Sequence, residues 1–382
     1  MSSSIGIAIL GAGIFAKEAH LPALSALGES APTLKAVYSR SEKSSRDLAA
    51  AGGAALKLNE PPSIYHDGDP STDLDALLAR VDITAVIVVL PITLQPSIVL
   101  KALAAGKHVL SEKPVAPDVE QGHNLISTYR QEYQPKGLIW RIAENYEAEP
   151  GIRKAGEVIR SGKIGKVILF KAVVVNHIDK ESKWYKTSWR TVPDYQGGFL
   201  LDGGVHTVAA LRIMLPHAWT HLTGFASLNK GYLEPHDTIH TVAKAGDHFH
   251  GILEMTFASP TSSKPQADQF VITGTEGWLS LNEVEVPGED GPVMRITVRS
   301  VVKTEGKPEE EKEDVIDVPA SKGVSVELRS FFDAIAGKDD GLGLGDPQAA
   351  LGDVAFIQAA LNSNGEVVDL VKLLDGKHIS AP

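Results

Sequence analysis

The chain of 382 residues contains no cysteine, and this absence excludes several kinds of chemistry at once. Disulfide bonds, a thiolate nucleophile and cysteine-ligated zinc or iron–sulfur sites all require a thiol. A cysteine-free chain fits a reducing compartment, and we expect a cytoplasmic protein. The apolar run Ile5–Leu10 is too short for a signal peptide or a membrane span.

Positive charge is also scarce, because 37 basic residues face 48 acidic ones and the formal net charge is −11. This balance argues against a nucleic-acid partner and against an anionic membrane surface. The serine-hydrolase pattern Gly-x-Ser-x-Gly is absent as well. The histidines between His236 and His250 are spaced for alternation along strands, so we predict no metal site.

Short apolar runs alternate with helical segments through residues 1–134. This alternation, with short connections, is typical of a Rossmann fold, a doubly wound parallel sheet. Pro22 should perturb the first helix, and Ser41 is a candidate N-cap of the second. The predicted strands are Ile5–Leu10, Leu34–Tyr38, Ala85–Leu90 and His108–Leu110, and the predicted helices are Phe15–Leu27, Ser41–Ala51, Ser71–Arg80 and Pro96–Ala105.

The pattern changes in residues 135–382, which we predict to form an α+β domain with one large, mostly antiparallel open sheet. The charged stretch Lys303–Asp314 is predicted to be a solvated hairpin tip or loop. The predicted helices are Ala148–Ser161, Ser325–Ala336 and Pro347–Ser363, and the predicted strands are Val167–Asn176, His221–Ser227, Thr238–Ala245, His250–Phe257, Gln269–Gly274, Trp278–Leu281 and Met294–Val301.

A glycine-rich turn follows the first predicted strand and opens the first predicted helix. Gly11 permits the tight turn, Gly13 lets the backbone approach a pyrophosphate, and Ala16 keeps the helix close to the strand. The free N–H groups of a helix N-terminus favour a phosphate. We therefore predict a dinucleotide site that includes Gly11, Gly13, Ile14 and Phe15; the alternative is a turn that merely connects strand and helix.

The end of the second strand indicates which nicotinamide cofactor binds. NAD sites usually place an acid there, whereas this chain has Ser39, Arg40 and Ser41. Their hydroxyl and guanidinium groups can donate to a 2′-phosphate. We predict NADP(H) rather than NAD(H); the alternative is that Arg40 is simply a solvated residue at the start of a helix.

Two further motifs supply groups that can move a proton. Lys113 follows Glu112 just past a short predicted strand, where ligands of parallel sheets bind. Asp202 and His206 are four residues apart, so a helix would place both on one face. Histidine is well suited to proton exchange near neutral pH. Trp189 and Arg190 precede this helix and could stack on a sugar ring or hold an anionic group; ordinary packing of a long loop is the alternative.

On these motifs the chain resembles the Gfo/Idh/MocA family, named after glucose–fructose oxidoreductase and inositol dehydrogenase. The resemblance implies catalysis by Lys113, Asp202 and His206, and cofactor contacts from Leu90, Pro91, Gln95, Glu112 and Lys113. It also implies a homodimer or homotetramer formed through the C-terminal sheet. The segments that carry the resemblance are Gly11–Ala16, Ala105–Pro114, Ser161–Val167 and Gly197–His206.

The sequence departs from the family pattern at three positions. Ile92 and Gln95 stand where the family commonly has Asn and His after the strand that ends at Leu90. Ala209 stands where the family usually has an acid, three residues after His206. The first departure affects the nicotinamide side of the site, and the second indicates a substrate or helix packing unlike that of the sugar and inositol enzymes.

Together these features predict an NADP(H)-dependent oxidoreductase that transfers hydride between nicotinamide and a carbonyl or alcohol. The substrate is expected to be a sugar, a polyol or a related small molecule, bound by Lys113, Trp189, Arg190, Asp202 and His206. Either Lys113 or His206 could exchange the proton. Two alternatives share the fold: a non-catalytic NADP-binding sensor, and a glycosidase that uses tightly held NAD as a transient oxidant.

Overall fold

The structure is a computed structural model that describes residues 5–264, 268–303 and 308–376. The described residues form two compact units. Unit 1 comprises the described parts of 1–145 and 323–351, and unit 2 those of 146–322 and 352–382. The predicted domain limits, 1–134 and 135–382, remain a prediction; the units differ from them in giving a late part of the chain to unit 1.

Unit 1 contains a six-stranded parallel sheet in the order β3-β2-β1-β4-β5-β6. This order confirms the predicted doubly wound fold, and it reverses direction beside the central strand β1. The third and sixth strands were not predicted. The strands are β1 (Gly6–Leu10), β2 (Thr33–Ser39), β3 (Ser63–His66), β4 (Ala85–Val88), β5 (His108–Glu112) and β6 (Trp140–Ala143).

The helices of unit 1 that follow these strands are α1 (Leu21–Ala26), α2 (Glu42–Ala55), α3 (Leu74–Leu78), α4 (Gln95–Ala104) and α5 (Val119–Thr128). A wider π-type turn, Ala16–His20, leads into α1, which has Pro22 in its first turn. Such a turn accommodates the missing N–H of proline. Ser41 caps α2 as predicted, accepting a 3.2 Å hydrogen bond from the Ser44 N–H.

The predicted helix Ser71–Arg80 was too long, since α3 spans only Leu74–Leu78. Asp73 explains where it begins, because its carboxylate accepts a 2.8 Å hydrogen bond from the Ala76 N–H. This N-cap satisfies one of the free donors of the first turn and fixes the helix start.

Unit 2 contains a nine-stranded sheet in the order β14-β13-β12-β11-β7-β10-β9-β8-β15. Neighbouring strands are antiparallel except for the parallel pair β7–β10, which confirms a mostly antiparallel sheet. The strands are β7 (Val167–Val175), β8 (Trp219–Ser227), β9 (Thr238–Ala245), β10 (Phe249–Thr256), β11 (Phe270–Gly274), β12 (Gly277–Val284), β13 (Val293–Val302), β14 (Glu310–Pro319) and β15 (Val368–Asp369).

The loop predicted over Lys303–Asp314 was partly wrong, because the edge strand β14 already begins at Glu310. Its charged side chains pair with β13 instead of marking a turn. Arg299 donates to Glu313 at 2.8 Å. Cross-strand pairs of opposite charge stabilise such a strand, and charge on a sheet edge discourages further pairing. Residues 304–307, also within that prediction, lie outside the described part of the chain.

The remaining helices are α6 (Asn145–Ala148), α7 (Pro150–Arg160), α8 (Ser188–Thr191), α9 (Phe199–Met214), α10 (Val324–Ile335), α11 (Pro347–Asn362) and α12 (Leu370–Leu374). α11 packs on the sheet of unit 2, where the rings of Phe356 and Trp219 lie 5.1 Å apart. Within the described residues, no helix is long and apolar enough to span a bilayer.

α10 belongs to the core of unit 1, although it follows eight of the nine strands of the unit 2 sheet in the sequence. Val324, Leu328 and Phe331 are buried in the same apolar cluster as Ile9 of β1 and Leu24 of α1. Leu328 and Phe331 are fully buried. A segment about 180 residues downstream of β6 therefore completes the packing of the nucleotide-type fold.

Candidate active site

The glycine turn after β1 has the geometry that a dinucleotide requires. Gly11 has φ +116°, and a Cβ there would lie 2.0 Å from the carbonyl oxygen of Val89. Only glycine fits this position. Gly13, by contrast, is exposed, and a Cβ would meet nothing within 4 Å. Gly11 thus closes the turn, while Gly13 leaves open space in front of the helix N-terminus that starts with Ile14 and Phe15.

The segment after β2 places an exposed cation beside this turn. Arg40 is exposed, and the Gly11 N–H donates to the carbonyl of Tyr38 at 2.8 Å. The hydroxyl of Ser41 is partly engaged as the helix cap, whereas Ser39 is half-buried. Of the three residues predicted to contact a 2′-phosphate, only Arg40 is both charged and exposed.

Asp67, which the sequence analysis missed, lies next to this segment at the end of β3. Its carboxylate accepts a 2.6 Å hydrogen bond from the hydroxyl of Tyr38. Burial, together with this carboxylate, raises the pKa of Tyr38 well above its ordinary value. The nearest acid to the strand end is thus engaged by a protonated tyrosine. No local sequence signal marked it, because β3 has no apolar run.

Leu90, Pro91 and Gln95 follow β4, at the carboxyl end of the sheet. Leu90 and Pro91 are half-buried. The amide of Gln95 is buried, and neither its Oε1 nor its Nε2 has a hydrogen-bond partner among the described residues. Buried amides are normally satisfied. Both polar atoms of this side chain are therefore unsatisfied and closed off from solvent.

Glu112 is the last residue of β5, and Lys113 follows it at the carboxyl end of the sheet. The Glu112 carboxylate lies 2.6 Å from Nε2 of His20, and both side chains are buried. Lys113 itself is half-buried. His20 was not among the predicted site residues, because the contact spans 92 positions of the sequence.

α9 carries Asp202 and His206 one turn apart, as the spacing predicted. Asp202 is buried and His206 is half-buried. The glycines between them allow α9 to pack closely against neighbouring side chains. A Cβ on Gly204 would lie 2.8 Å from Sδ of Met255, and one on Gly203 would lie 2.9 Å from the Phe257 ring. They bring α9 close to the sheet of unit 2.

Arg190 is brought directly to Asp202. Its Nε donates to Oδ2 of the carboxylate at 2.7 Å, and their side chains are 13% and 9% exposed. The guanidinium also lies 4.0 Å from the ring centroid of Trp189 and 5.3 Å from that of Trp184. The predicted substrate residues Trp189, Arg190 and Asp202 therefore form one cluster, in which indole rings flank a charge-assisted hydrogen bond.

Two tyrosines of this unit were missed by the sequence analysis. The ring of Tyr146 stacks on the imidazole of His206 at 4.7 Å, with an interplanar angle of 21°. Tyr195 is buried beside Trp189, and burial, with the nearby Asp202 carboxylate, raises its pKa far above the ordinary value. Tyr195 thus remains a neutral donor. No predicted strand marked Tyr146, because β6 was itself not predicted.

No group of three or more potential metal-binding side chains occurs among the described residues. His240 and His250 project from the exposed positions of two adjacent strands, β9 and β10. Unit 1 carries the amine of Lys113, and unit 2 carries the imidazole of His206, the carboxylate of Asp202 and the guanidinium of Arg190. Such groups suit proton exchange and hydrogen bonding to a polar organic molecule.

Two family models match this chain. One, described as an oxidoreductase family with an NAD-binding Rossmann fold, matches residues 5–134. The other, described as the GFO/IDH/MocA C-terminal domain, matches residues 152–280. Together they take in most of unit 1 and about half of the sheet strands of unit 2.

Similar proteins include the dehydrogenase FPY6 of Fusarium mangiferae, 37% identical over 94% of this chain and 96% of that protein. A dTDP-3,4-didehydro-2,6-dideoxy-alpha-D-glucose 3-reductase of Streptomyces violaceoruber is 27% identical over 93% of this chain and 94% of its own length. The crystal structure of an oxidoreductase, TM0312, from Thermotoga maritima superposes with a TM-score of 0.79 at 29% identity, covering 97% and 100% of the two chains. With its fold, its matched models and a full-length relative at this identity, the chain belongs to the Gfo/Idh/MocA family of oxidoreductases.

Proposed function

We propose that this protein is an NADP(H)-dependent oxidoreductase that interconverts a carbonyl and an alcohol of a small molecule, a sugar, a polyol or a related compound. The observation that carries the proposal is the position of Lys113. This half-buried amine follows β5 at the carboxyl end of the sheet, the same end at which β1 leads into the glycine turn. Cofactors of doubly wound sheets bind along that edge.

The residues of unit 1 fit the nucleotide. Gly13 leaves room for a pyrophosphate, and Arg40 can pair with a 2′-phosphate. Gln95 begins α4, just after β4 at the same end of the sheet. The cofactor, when bound, supplies or accepts the hydride.

The chain must supply the proton that accompanies reduction of a carbonyl. Lys113 and His206 are the two candidates, and both were predicted as catalytic. We favour His206 as the direct donor, with its ring oriented by the stacked Tyr146, and Lys113 as the group that polarises the carbonyl. Asp202 would then hold a substrate hydroxyl while Arg190 orients its carboxylate.

The sequence of a relative supports the choice of substrate class. The Streptomyces reductase acts on a nucleotide-linked keto sugar, as its name says, and it matches nearly the whole chain. A carbohydrate carbonyl also suits the aromatic and hydroxyl-binding groups around Arg190. Cytoplasmic location remains a prediction from the cysteine-free sequence.

Titration of the full chain with NADPH and NADH, followed by nicotinamide fluorescence, tests the cofactor. Tight NADPH binding with weak NADH binding is expected, and binding of neither would refute the proposal. Lys113→Met should leave NADPH binding intact and lower turnover of a carbonyl substrate by about 10²–10⁴-fold. Lys101→Met, which removes an exposed lysine of α4, is the matched control and should leave turnover unchanged.

A further inference from the structure

Arg190 has more hydrogen-bond donors than the described residues use. A guanidinium carries five N–H groups. Nε donates to Asp202, but Nη1 and Nη2 have no hydrogen-bond partner among the described residues. Only 13% of the side chain is exposed. Four N–H groups are therefore available to acceptors from outside the chain.

The guanidinium is also held in one orientation. Asp202 binds its Nε edge, while Trp189 and Trp184 lie 4.0 and 5.3 Å from its central carbon. The outer edge, formed by Nη1 and Nη2, is a planar fork. Such a fork matches two oxygens of a carboxylate or a phosphate, and its fixed position reduces the entropy lost on binding.

The local charge favours an anion at this edge. The segment from Asp179 to Arg190 has four basic and two acidic residues, in a chain whose net charge is −11. The amine of Lys183 lies over the Trp184 ring at 5.2 Å. Tyr195, kept protonated by burial, adds a neutral donor near the Asp202–Arg190 pair. The segment that carries Arg190 therefore has a formal charge of +2 from its own residues, of which the paired Asp202 offsets one unit.

We propose that Arg190 anchors an anionic substituent, a carboxylate or a phosphate, on the substrate. The enzyme would then act on an acidic sugar, polyol or related compound and discriminate against the neutral analogue. This inference rests on the proposed function, because it names the substrate class of the same site. A bidentate, charge-assisted contact favours an anion over a hydroxyl by about 10- to 100-fold in affinity.

Binding to the full-length protein saturated with NADP⁺ tests the inference with three probes that share one ring: D-glucose, D-glucuronate and D-glucose 6-phosphate. Tryptophan fluorescence reports binding, since Trp184 and Trp189 flank the guanidinium, and calorimetry gives the affinities. We expect at least one acidic probe to bind about tenfold or more tightly than glucose. Preference for glucuronate identifies a carboxylate, and preference for glucose 6-phosphate a phosphate.

Arg190→Met should abolish this preference. Lys186→Met is the matched control, because it removes a positive charge from the same segment, but that amine is 57% exposed and pairs with Glu181. Unchanged circular dichroism and NADP⁺ affinity would establish that both variants fold. The proposal is overturned if neither acidic probe binds, if glucose binds equally well, or if the two variants lose the preference to the same extent.

The two proposals can fail separately. Retained, Arg190-dependent binding of an acidic probe without any hydride transfer from NADPH would reject the proposed function and leave the anion anchor standing. Reduction of acidic and neutral carbonyls with equal kcat/KM, in the wild type and in Arg190→Met alike, would reject the anchor and leave the oxidoreductase standing.

Discussion

Nε2 of His20 lies 2.6 Å from Oε1 of Glu112, in a contact closed off from solvent. His20 ends the π-type turn behind the glycine turn, and Glu112 is the last residue before Lys113. The pair links the segment that is predicted to bind the nucleotide phosphates to the strand end that carries the amine. It joins the two sequence motifs on which the nucleotide site was predicted.

Replacement of one member of the His20–Glu112 pair should lower the free energy of unfolding more than replacement of both. His20→Leu leaves the Glu112 carboxyl buried without its partner, so the free energy of unfolding should fall by about 1–3 kcal/mol. The double variant His20→Leu/Glu112→Leu should recover much of that loss. Urea unfolding of the single and double variants measures the coupling; strictly additive losses would show that the contact contributes nothing of its own.

Arg40→Asp should reverse the preference for NADPH. The substitution removes the cation that would pair with the 2′-phosphate, and it places there the acid that suits a ribose diol. The ratio of NADPH to NADH affinity should fall by about 10- to 100-fold. Arg46→Asp, in the exposed i,i+4 pair with Glu42, is the control. An equal effect of both substitutions would mean that general charge, and not Arg40, sets the preference.

Arg212 should be essential to the stability of unit 2. It donates to both oxygens of Asp353, at 3.0 and 2.7 Å, and to Glu147 at 2.5 Å. Both carboxylates are almost fully buried. Arg212→Met removes the cation that compensates these two buried negative charges, and a loss of about 3–5 kcal/mol is expected.

A solvent-exposed ion pair provides the control for the stability loss expected of Arg212→Met. Arg295 and Asp317 form a bidentate contact on the sheet, with side chains 38% and 35% exposed. Solvent screens this pair, so Arg295→Met should cost no more than about 1 kcal/mol. Denaturant midpoints of the two variants test the contrast; similar losses would contradict the role of burial.

His108 should make the protein less stable as the pH falls. Burial lowers the pKa of His108, whose Nδ1 accepts a 3.0 Å hydrogen bond from the Ile139 N–H. Below the ordinary pKa of about 6.5, the unfolded chain takes up a proton that the folded chain does not, so stability declines. His108→Asn keeps an acceptor but cannot titrate. Its free energy of unfolding, measured from about pH 7.5 to 5, should fall less steeply than that of the wild type.

The exposed face of the large sheet should mediate self-association, as the family resemblance implies. Val242 and Phe225 are 47% and 64% exposed on the adjacent strands β9 and β8. We expect a homodimer or homotetramer in light scattering, and Val242→Lys should shift it to monomer. Val81→Lys, at a residue of unit 1 that is 97% exposed, is the control. A wild type that is monomeric at all concentrations would contradict the prediction.

Regular apolar patterns made much of the fold predictable. Ile5–Leu10 and Ala85–Leu90 have the continuous apolar character of strands buried on both faces, and both lie at the centre of the parallel sheet. Ser63–His66 forms a strand without that signal, because β3 lies at the edge and its side chains remain partly exposed. Such strands depend on a neighbour and not on their own composition.

Those relations in the candidate site that join residues close in the sequence were predictable. The spacing of Asp202 and His206 predicted their shared helix face, since α-helical geometry fixes that relation. The contact between Arg190 and Asp202 and the stacking of Tyr146 on His206 depend on how separate segments pack. No periodicity in one segment reports the direction of a side chain in another.

The position of α10 late in the sequence has a consequence for how the chain folds during its synthesis on the ribosome. The core of unit 1 includes Leu328 and Phe331, and these residues are synthesised only after strands β7 to β14 of unit 2. The apolar surface around Ile9 therefore remains exposed in the nascent chain while more than 170 further residues are translated. A fragment that ends at Asn145 should accordingly aggregate or depend on chaperones, even though it carries every strand of the parallel sheet.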